Sequence, residues 1–466
     1  MDDKGVMLGS EPVSRKDWYT RWVSGVLFPM HEALKGHQTV EILKCLEKSQ
    51  WLTPEAMKEL QLDRLKTFLT TIEQHVPYYQ TVFAELGVDI GAIDSLDDLT
   101  RFPLLTKDII RAQTDALKTT ADAKLMPRKT GGSTGEPLRF FVDNNRVSHD
   151  VAARWRATRW WGVDMGDPEL VLWGAPAELG AQDKIKRLRD KLFRSHLVSA
   201  FDMTPEMMVE IVRQIRAIRP RMIFGYPSSL AYLARYAKDQ SIQLSDCGVH
   251  VVFVTSEVLY PQQRQEIEQV FGCGVANEYG GRDAGFIARE CSAGRMHISA
   301  EDIIVELVDD DGNPVPVGFS GEVVVTHLAT TGFPFLRYKT GDIAIMDDAP
   351  CACGRGLPVL KEVVGRSNDL LITCDGGAVH PNVVNYIVRE FHQVIAYKVI
   401  QETLMKTRVL LELSSPLSED EQAAMAAGFR ERLGSDVEVD ILVVDYIQAE
   451  KSGKHRFVVS HCSAAS

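Results

Sequence analysis

The sequence predicts an α/β protein in two unequal parts: a large N-terminal domain with a parallel sheet and a β-rich subdomain, then a small C-terminal α+β domain. Three observations predict it. Apolar runs such as Val171-Leu172-Trp173, Met222-Ile223-Phe224-Gly225 and Val251-Val252-Phe253-Val254 are separated by helical stretches, as buried parallel strands with crossover helices require. From Ile303 the period changes to alternation, with Ile303 to Leu307 and Gly321 to Thr326 joined through Asp310-Asp311-Gly312-Asn313, which is hairpin grammar. Past Gly365 a smaller strand and helix set begins, placing a domain boundary near Arg366, with 1–366 as the large part and 367–466 as the small one.

Taken in order, residues 15–80 read as a helical lead-in to the large domain, with Trp18, Trp22, Leu27, Leu34, Ile42, Leu43 and Leu46 at mixed helical spacings. Thr53 is placed to cap a second helix with Pro54 in its first turn, and the pattern breaks at Val76-Pro77, leaving Tyr78 and Tyr79 as core. Arg139 to Val142 reads as a strand and Arg146 to Trp161 as a helix. Its Trp155 and Trp160 either wall a pocket or are simply core. Lys184 to Arg194 reads as a solvated basic helix. The stretches Met222 to Ser229, Val251 to Glu257 and Val275 to Gly280 each read as a strand running into a turn and a helix. In such sheets ligands bind at the carboxyl ends of strands, which is where Phe224, Tyr226, Glu257 and Tyr279 fall. The small domain reads as a helix over 381–391, strands at Tyr397 to Ile400 and Val409 to Leu413, a helix from Ser418 to Leu433 and a strand at Val437 to Val444.

Composition narrows the partners. The chain has 466 residues, 45% hydrophobic and 25% charged, which suits a soluble globular protein of more than one core. A net charge of −12 argues against a nucleic-acid or anionic-membrane surface. The acidic, polar start and the lack of any apolar run of about 18 residues predict neither signal peptide nor membrane span. Eight scattered cysteines make no disulfide framework, and a cytoplasmic setting is expected.

The chemistry centres on Thr130-Gly131-Gly132-Ser133-Thr134-Gly135-Glu136-Pro137. Glycines let successive N–H groups converge on an anion, and Ser133 and Thr134 add hydroxyl donors, as a phosphate-cradling loop needs. The spacing is not that of a Walker A loop, and alone the segment reads more readily as a flexible surface loop. Four later stretches change the weighting: Tyr279-Gly280-Gly281-Arg282-Asp283, Tyr338-Lys339-Thr340-Gly341-Asp342, Gly365-Arg366-Ser367-Asn368-Asp369 and Ser452-Gly453-Lys454.

In this order the five stretches resemble the motif series of the adenylate-forming (acyl-CoA synthetase-like) superfamily, and most closely its phenylacetate-CoA ligase and CapK-type branch. The resemblance covers most of residues 40–460 and implies the adenylate-forming enzyme fold with ATP, magnesium and a carboxylic acid as ligands. It further implies that Thr130 to Gly135, Glu257, Tyr279, Gly280, Asp342 and Arg366 bind the nucleotide, with Tyr279 against adenine and Asp342 on the ribose hydroxyls. Asp283 would sit by the magnesium, Thr134 and Lys454 would act in catalysis, and Asn368 with Asp369 would form a hinge. Trp155, Trp160, Phe224 and Tyr226 are the candidates for the acid pocket. Three positions depart from the family pattern: Arg282 and Asp283 stand for threonine and glutamate, and Leu138 for a lysine.

Cys291, His297, Cys351 and Cys353 offer thiolate and imidazole ligands of the kind a tetrahedral zinc takes. The CapK-type branch carries a similar pattern, which implies a structural zinc. The expected reaction is acid activation to an acyl-adenylate, then acyl transfer to CoA, the acid being aryl or arylacetic. Relatives in the branch use amines or other acceptors, transfer AMP itself or serve capsule biosynthesis, so a non-CoA acceptor such as an amine or a carrier protein stays open. So do a non-catalytic scaffold and a homodimer.

Overall fold

The computed structural model describes residues 17–130, 138–173, 184–200, 203–366, 371–374, 378–379, 387–388, 390–447 and 457–462. Gly131, Gly132, Ser133, Thr134, Gly135, Asn368, Asp369 and Lys454 lie outside them, as does most of the helix expected over 381–391.

The lead-in is helical, and its main helix, Pro54–His75, starts where the side chain of Thr53 accepts from Ala56 N–H. It buries Met57, Leu65, Phe68, Leu69 and Ile72 in one core with Tyr79, Phe83 and Phe102 and with Phe140 and Tyr338 of the sheets. The lead-in is therefore part of the main core.

Strands β1 (Met126–Lys129) and β2 (Arg139–Val142) pair antiparallel. Thr130 N–H donates to Leu138 O at 3.0 Å, and Leu138 N–H to Thr130 Oγ1 at 2.9 Å. The glycine stretch thus connects two paired positions. Next come β3 (Glu169–Leu172), β4 (Ser195–Val198), β5 (Met222–Gly225), β6 (Val251–Thr255), β7 (Gly274–Gly281), β8 (Gly285–Glu290), β9 (Met296–Ile298), β10 (Ile303–Val308), β11 (Ser320–His327), β12 (Tyr338–Asp347) and β13 (Val359–Arg366). They form one eleven-stranded sheet in the order β10-β11-β12-β13-β9-β8-β7-β6-β5-β3-β4. Neighbours among β3 to β7 run parallel, and every pairing from β7–β8 toward β10 is antiparallel.

Both faces of the parallel half are covered, which is why its strands read as unbroken apolar runs. Ile223, Val252 and Val254 share a core with the helices Pro205–Ile218, Pro227–Asp239 and Pro261–Phe271, while Phe224, Phe253 and Ala276 form a second cluster with Trp155 and Trp161 against it.

The alternating strands from Ile303 onward form the β-rich part as expected, and they continue the main sheet. One expectation is corrected: after β7 the chain turns straight back into β8 with no helix, and Gly280 passes so close to β8 that a Cβ there would collide with Gly285 O.

Beyond β13, the short strands β14 (Leu371–Ile372) and β15 (Ala378–Val379) pair with each other. A separate four-stranded sheet contains β16 (Val394–Thr403), β17 (Lys406–Leu413), β18 (Glu438–Val443) and β19 (Val458–Ser460) in the order β18-β17-β16-β19. Its core sets Val399, Val409 and Leu411 against Met425, Phe429 and Leu433 of the helix Glu419–Leu433, which Ser418 and Glu421 cap reciprocally. This unit rests on the large one where Arg235 donates to Ile395 O and the Tyr260 ring meets Phe457 at 5.6 Å. Among the described residues no helix is long and apolar enough to cross a membrane.

Candidate active site

The site grows from β12. Gly341 has a φ of +82°, a turn that glycine adopts without strain, and it sends Asp342 back toward β7. Asp342 N–H donates to Thr340 Oγ1 at 3.1 Å, and Thr340 Oγ1 donates to Val323 O at 3.0 Å, so the aspartate's backbone is fixed from below. The Asp342 carboxylate accepts from Tyr279 OH at 2.9 Å. Burial first, and then the Asp342 charge, hold the Tyr279 phenol well above its ordinary value, so it stays a donor. Strand register puts Asp342 opposite Arg366. Lys107, at the start of a lead-in helix, donates to Thr340 O at 3.0 Å and so reaches the same turn.

Asp283 lies in the β7–β8 turn and is engaged at three atoms. Tyr338 OH donates to its Oδ2 at 2.6 Å, Ala284 N–H to its Oδ1 at 3.1 Å, and the Arg146 guanidinium to its backbone O at 3.0 Å. Arg146 is fully buried and donates also to Asp150 at 2.8 Å and Thr330 Oγ1 at 2.8 Å. Asp150 in turn accepts from Phe286 N–H at 3.1 Å and lies 3.4 Å from His327 Nε2. Burial alone would raise Asp150, but Arg146 and His327 outweigh it and hold the carboxyl well below the usual range. The turn is thus gripped from the helix Asn144–Arg159 on one side and β12 on the other.

Tyr279, Gly280, Asp283 and Asp342 therefore come together. Glu257, just past β6, accepts from Ser228 N–H at 3.1 Å at the start of the helix Pro227–Asp239. Thr130 closes the β1–β2 hairpin as described above.

The aromatic candidates divide. Phe224 and Tyr226 stand at the carboxyl end of β5 and both stack on Trp173, at 5.5 and 4.3 Å between centroids. Trp155 packs against the Phe224 cluster and meets Phe28 at 6.4 Å. Trp160 shares a core cluster with Trp155, and its Nε1–H donates to Gln50 Oε1 at 2.7 Å while its ring meets His297 at 5.7 Å. The Arg154 guanidinium lies 4.7 Å from the Phe224 ring centroid. Next to it, Arg289 of β8 pairs with Glu278 and donates to Thr158 Oγ1 at 2.6 Å. Lys107, Arg146, Tyr338, Trp173 and Arg154 are the neighbours that sequence reasoning did not single out for the site. Tyr338 belonged to a quoted motif, but its partner across the sheet carried no local signal.

The four metal-ligand candidates converge. One donor atom from each of Cys291, His297, Cys351 and Cys353 lies within 4.8 Å of all the others. Cys291 Sγ and Cys351 Sγ are 3.6 Å apart, close to the ~3.8 Å edge of a tetrahedron with ~2.3 Å metal–sulfur bonds. Cys353 Sγ is 3.2 Å from His297 Nε2, while His297 Nδ1 faces Leu357 O at 3.1 Å. That contact assigns the proton to Nδ1 and leaves Nε2 with a lone pair toward the thiols. Burial pushes His297 down to about 4, so the ring is neutral near pH 7. The donor set fits zinc.

Comparison with known proteins bears on these features. Residues 371–461 match the CapK C-terminal domain family. The protein CapK of Staphylococcus aureus is 25% identical, covering 86% of this chain and 89% of its own length. A phenylacetate-coenzyme A ligase of Thermus thermophilus is 25% identical over 78% of this chain and 83% of its own. Among solved structures, a 2-hydroxyisobutyryl-CoA ligase in the postadenylation state with R3-HIB-AMP aligns with a TM-score of 0.69 at 20% identity, over 88% of this chain and 90% of that one. The chain is similar to proteins named CapK and phenylacetate-CoA ligase over most of its length, and its fold is that of the adenylate-forming ligases.

Proposed function

We propose that the chain is an acid-activating ligase that uses ATP to convert a carboxylic acid, aryl or arylacetic, into an acyl-adenylate and then passes the acyl group to CoA. The observation that carries this reading is the pair of tyrosine–aspartate bonds, Tyr279 to Asp342 and Tyr338 to Asp283, which joins two of the resembling motifs at one end of the sheet. Similarity to proteins named phenylacetate-CoA ligase supports it.

In the first step a carboxylate oxygen attacks the α-phosphorus of ATP and the bond to pyrophosphate breaks. In the second the CoA sulfur attacks the acyl carbon and AMP leaves. Both partners of the first step are anionic, so alignment and charge neutralisation matter more than proton transfer. Asp342, its backbone fixed by Thr340, is suited to accept from the ribose hydroxyls. Tyr279, anchored by its hydroxyl, offers a ring to adenine. Asp283 keeps lone pairs on both oxygens beyond its two hydrogen bonds, so it fits a hard cation. Magnesium bound with the triphosphate supplies charge neutralisation at the phosphate oxygens. Thr130 to Gly135 would hold the departing phosphates. Lys454, on a small domain of residues 367–466 that turns about Asn368 and Asp369, would meet the charge between carboxylate and α-phosphate. Cys291, His297, Cys351 and Cys353 would hold a structural zinc.

The test is pyrophosphate release from ATP and magnesium over a panel of aryl, arylacetic, fatty and amino acids, with and without CoA. Acid-dependent release that falls at least a hundredfold in Lys454→Ala, with CoA converting the burst to turnover, is expected. Release stimulated by an amine or a carrier protein in place of CoA would move the acceptor. No release and no ATP binding would leave a scaffold.

A further inference from the structure

The helix Asn144–Arg159 lies along the β7–β8 hairpin, and Arg146, Asp150 and Arg154 recur at every fourth position on it. The first two grip the catalytic turn at Asp283 O and Phe286 N–H. Arg154 follows eight residues after Arg146, about 12 Å farther along the helix axis at 1.5 Å per residue. There it lies over Phe224, whose ring also stacks on Trp173.

A cation–π contact uses none of the five guanidinium N–H donors. Among the described residues no carboxylate or carbonyl accepts from the Arg154 side chain. Glu169 attracts it only from beyond ion-pair range, and Glu278, the carboxylate on the neighbouring strand, is already paired with Arg289. Arg154 and Arg289 repel each other, and among the described residues Glu278 is paired with Arg289 alone. An arginine beside an aromatic cluster, with no protein acceptor among the described residues, can take an acceptor that arrives with a ligand.

We propose that Arg154 is a specificity-determining residue that binds a second carboxylate at the far end of the acid substrate, so that the site takes an aromatic dicarboxylic acid. The inference rests on the acid-activating reading above. The reacting carboxylate lies at the Asp283 end of the helix, the ring against Phe224 and Trp173, and the distal carboxylate on Arg154.

The experiment is calorimetric binding of 1,4-phenylenediacetate and of phenylacetate to the full-length protein, wild type, Arg154→Met and Arg154→Lys, with thermal melting of each as a folding control. Wild type is expected to bind the diacid at least tenfold more tightly. Arg154→Met is expected to bind both alike at an unchanged melting temperature, and Arg154→Lys to keep part of the preference. Equal affinities in wild type, the same preference in Arg154→Met, or binding of neither acid would overturn the proposal. Pyrophosphate release with the same two acids separates the two readings. Release from phenylacetate without diacid preference sinks the Arg154 assignment and leaves the ligase. Diacid preference in binding with no release from any acid leaves Arg154 as an anion site and sinks the ligase.

Discussion

At the scale of residues, each of the two site aspartates accepts from a tyrosine hydroxyl on another strand, Asp342 from Tyr279 and Asp283 from Tyr338. A hydrogen bond to a charged group contributes roughly 1.5–3 kcal/mol, and Tyr338→Phe keeps the ring while deleting the donor. Magnesium-dependent ATP turnover in that variant is expected to need at least about tenfold more metal, at nearly unchanged kcat once saturated. An unchanged metal requirement would detach Tyr338 from the site. Asp342 and Tyr279 were singled out because each sits in a short motif that resembles a family series, while the bond between them across the sheet carried no local signal. Trp155 and Trp160 pack against one cluster, but five residues along a helix turn a side chain by about 140°, so Trp155 also reaches Phe224 and Trp160 also meets His297. Arg154 was illegible because its meaning depends on what fails to pair with it.

Elements hold these residues in place by contacts far apart in the chain. The Asn144–Arg159 helix meets the β7–β8 turn through Arg146, which no periodicity could have revealed. Removing one partner of a buried ion pair costs roughly 3–5 kcal/mol, so Arg146→Met is expected to lower the melting temperature by several degrees and to impair ATP turnover. A variant with wild-type stability would contradict this. The network also predicts a pH dependence. Burial first, and then the Arg146 charge, hold His327 below its ordinary value, and Asp150 is likewise depressed. Both groups therefore bind fewer protons in the folded state than in the unfolded one. Their contribution is full at neutral pH and is lost as pH falls, the loss beginning near the unfolded values of about 6.5 for His327 and about 4 for Asp150 and continuing down to the lower folded ones. Melting temperature against pH is expected to be flatter between pH 5 and 7 in His327→Gln than in wild type; an identical slope would count against it. The ligand types and the family pattern did suggest a cluster, but the four residues are far apart in sequence and only the ends of β8, β9 and the loop before β13 bring them together. Metal analysis is expected to find one zinc per chain, lost in Cys351→Ser with a drop in melting temperature. Metal-free protein of full stability would refute the assignment.

For the whole molecule, the sheet is the frame. Its parallel half was legible as apolar runs between helices, and its antiparallel half as alternation, but the period alone did not say that both halves share one sheet. That depends on β9 pairing with β13 across more than 60 intervening residues, as Val359 meets His297. In place of the helix expected after β7, the chain pairs back antiparallel as β8, with Gly280 in close approach to Gly285. Because a Cβ there would collide with backbone, Gly280→Ala is expected to lose activity through displacement of Asp283, and a variant of normal activity would show the turn to be tolerant. The small sheet carries its own core.

The central claim is that this frame makes an acyl-adenylate. The most direct test is mass-spectrometric detection of acyl-AMP after rapid quenching of wild type and Asp342→Ala with ATP, magnesium and the acid panel. The account predicts acid-dependent acyl-AMP in wild type and at least a hundredfold less in Asp342→Ala. ATP consumed to ADP, or acyl-AMP formed equally by both proteins, would contradict it.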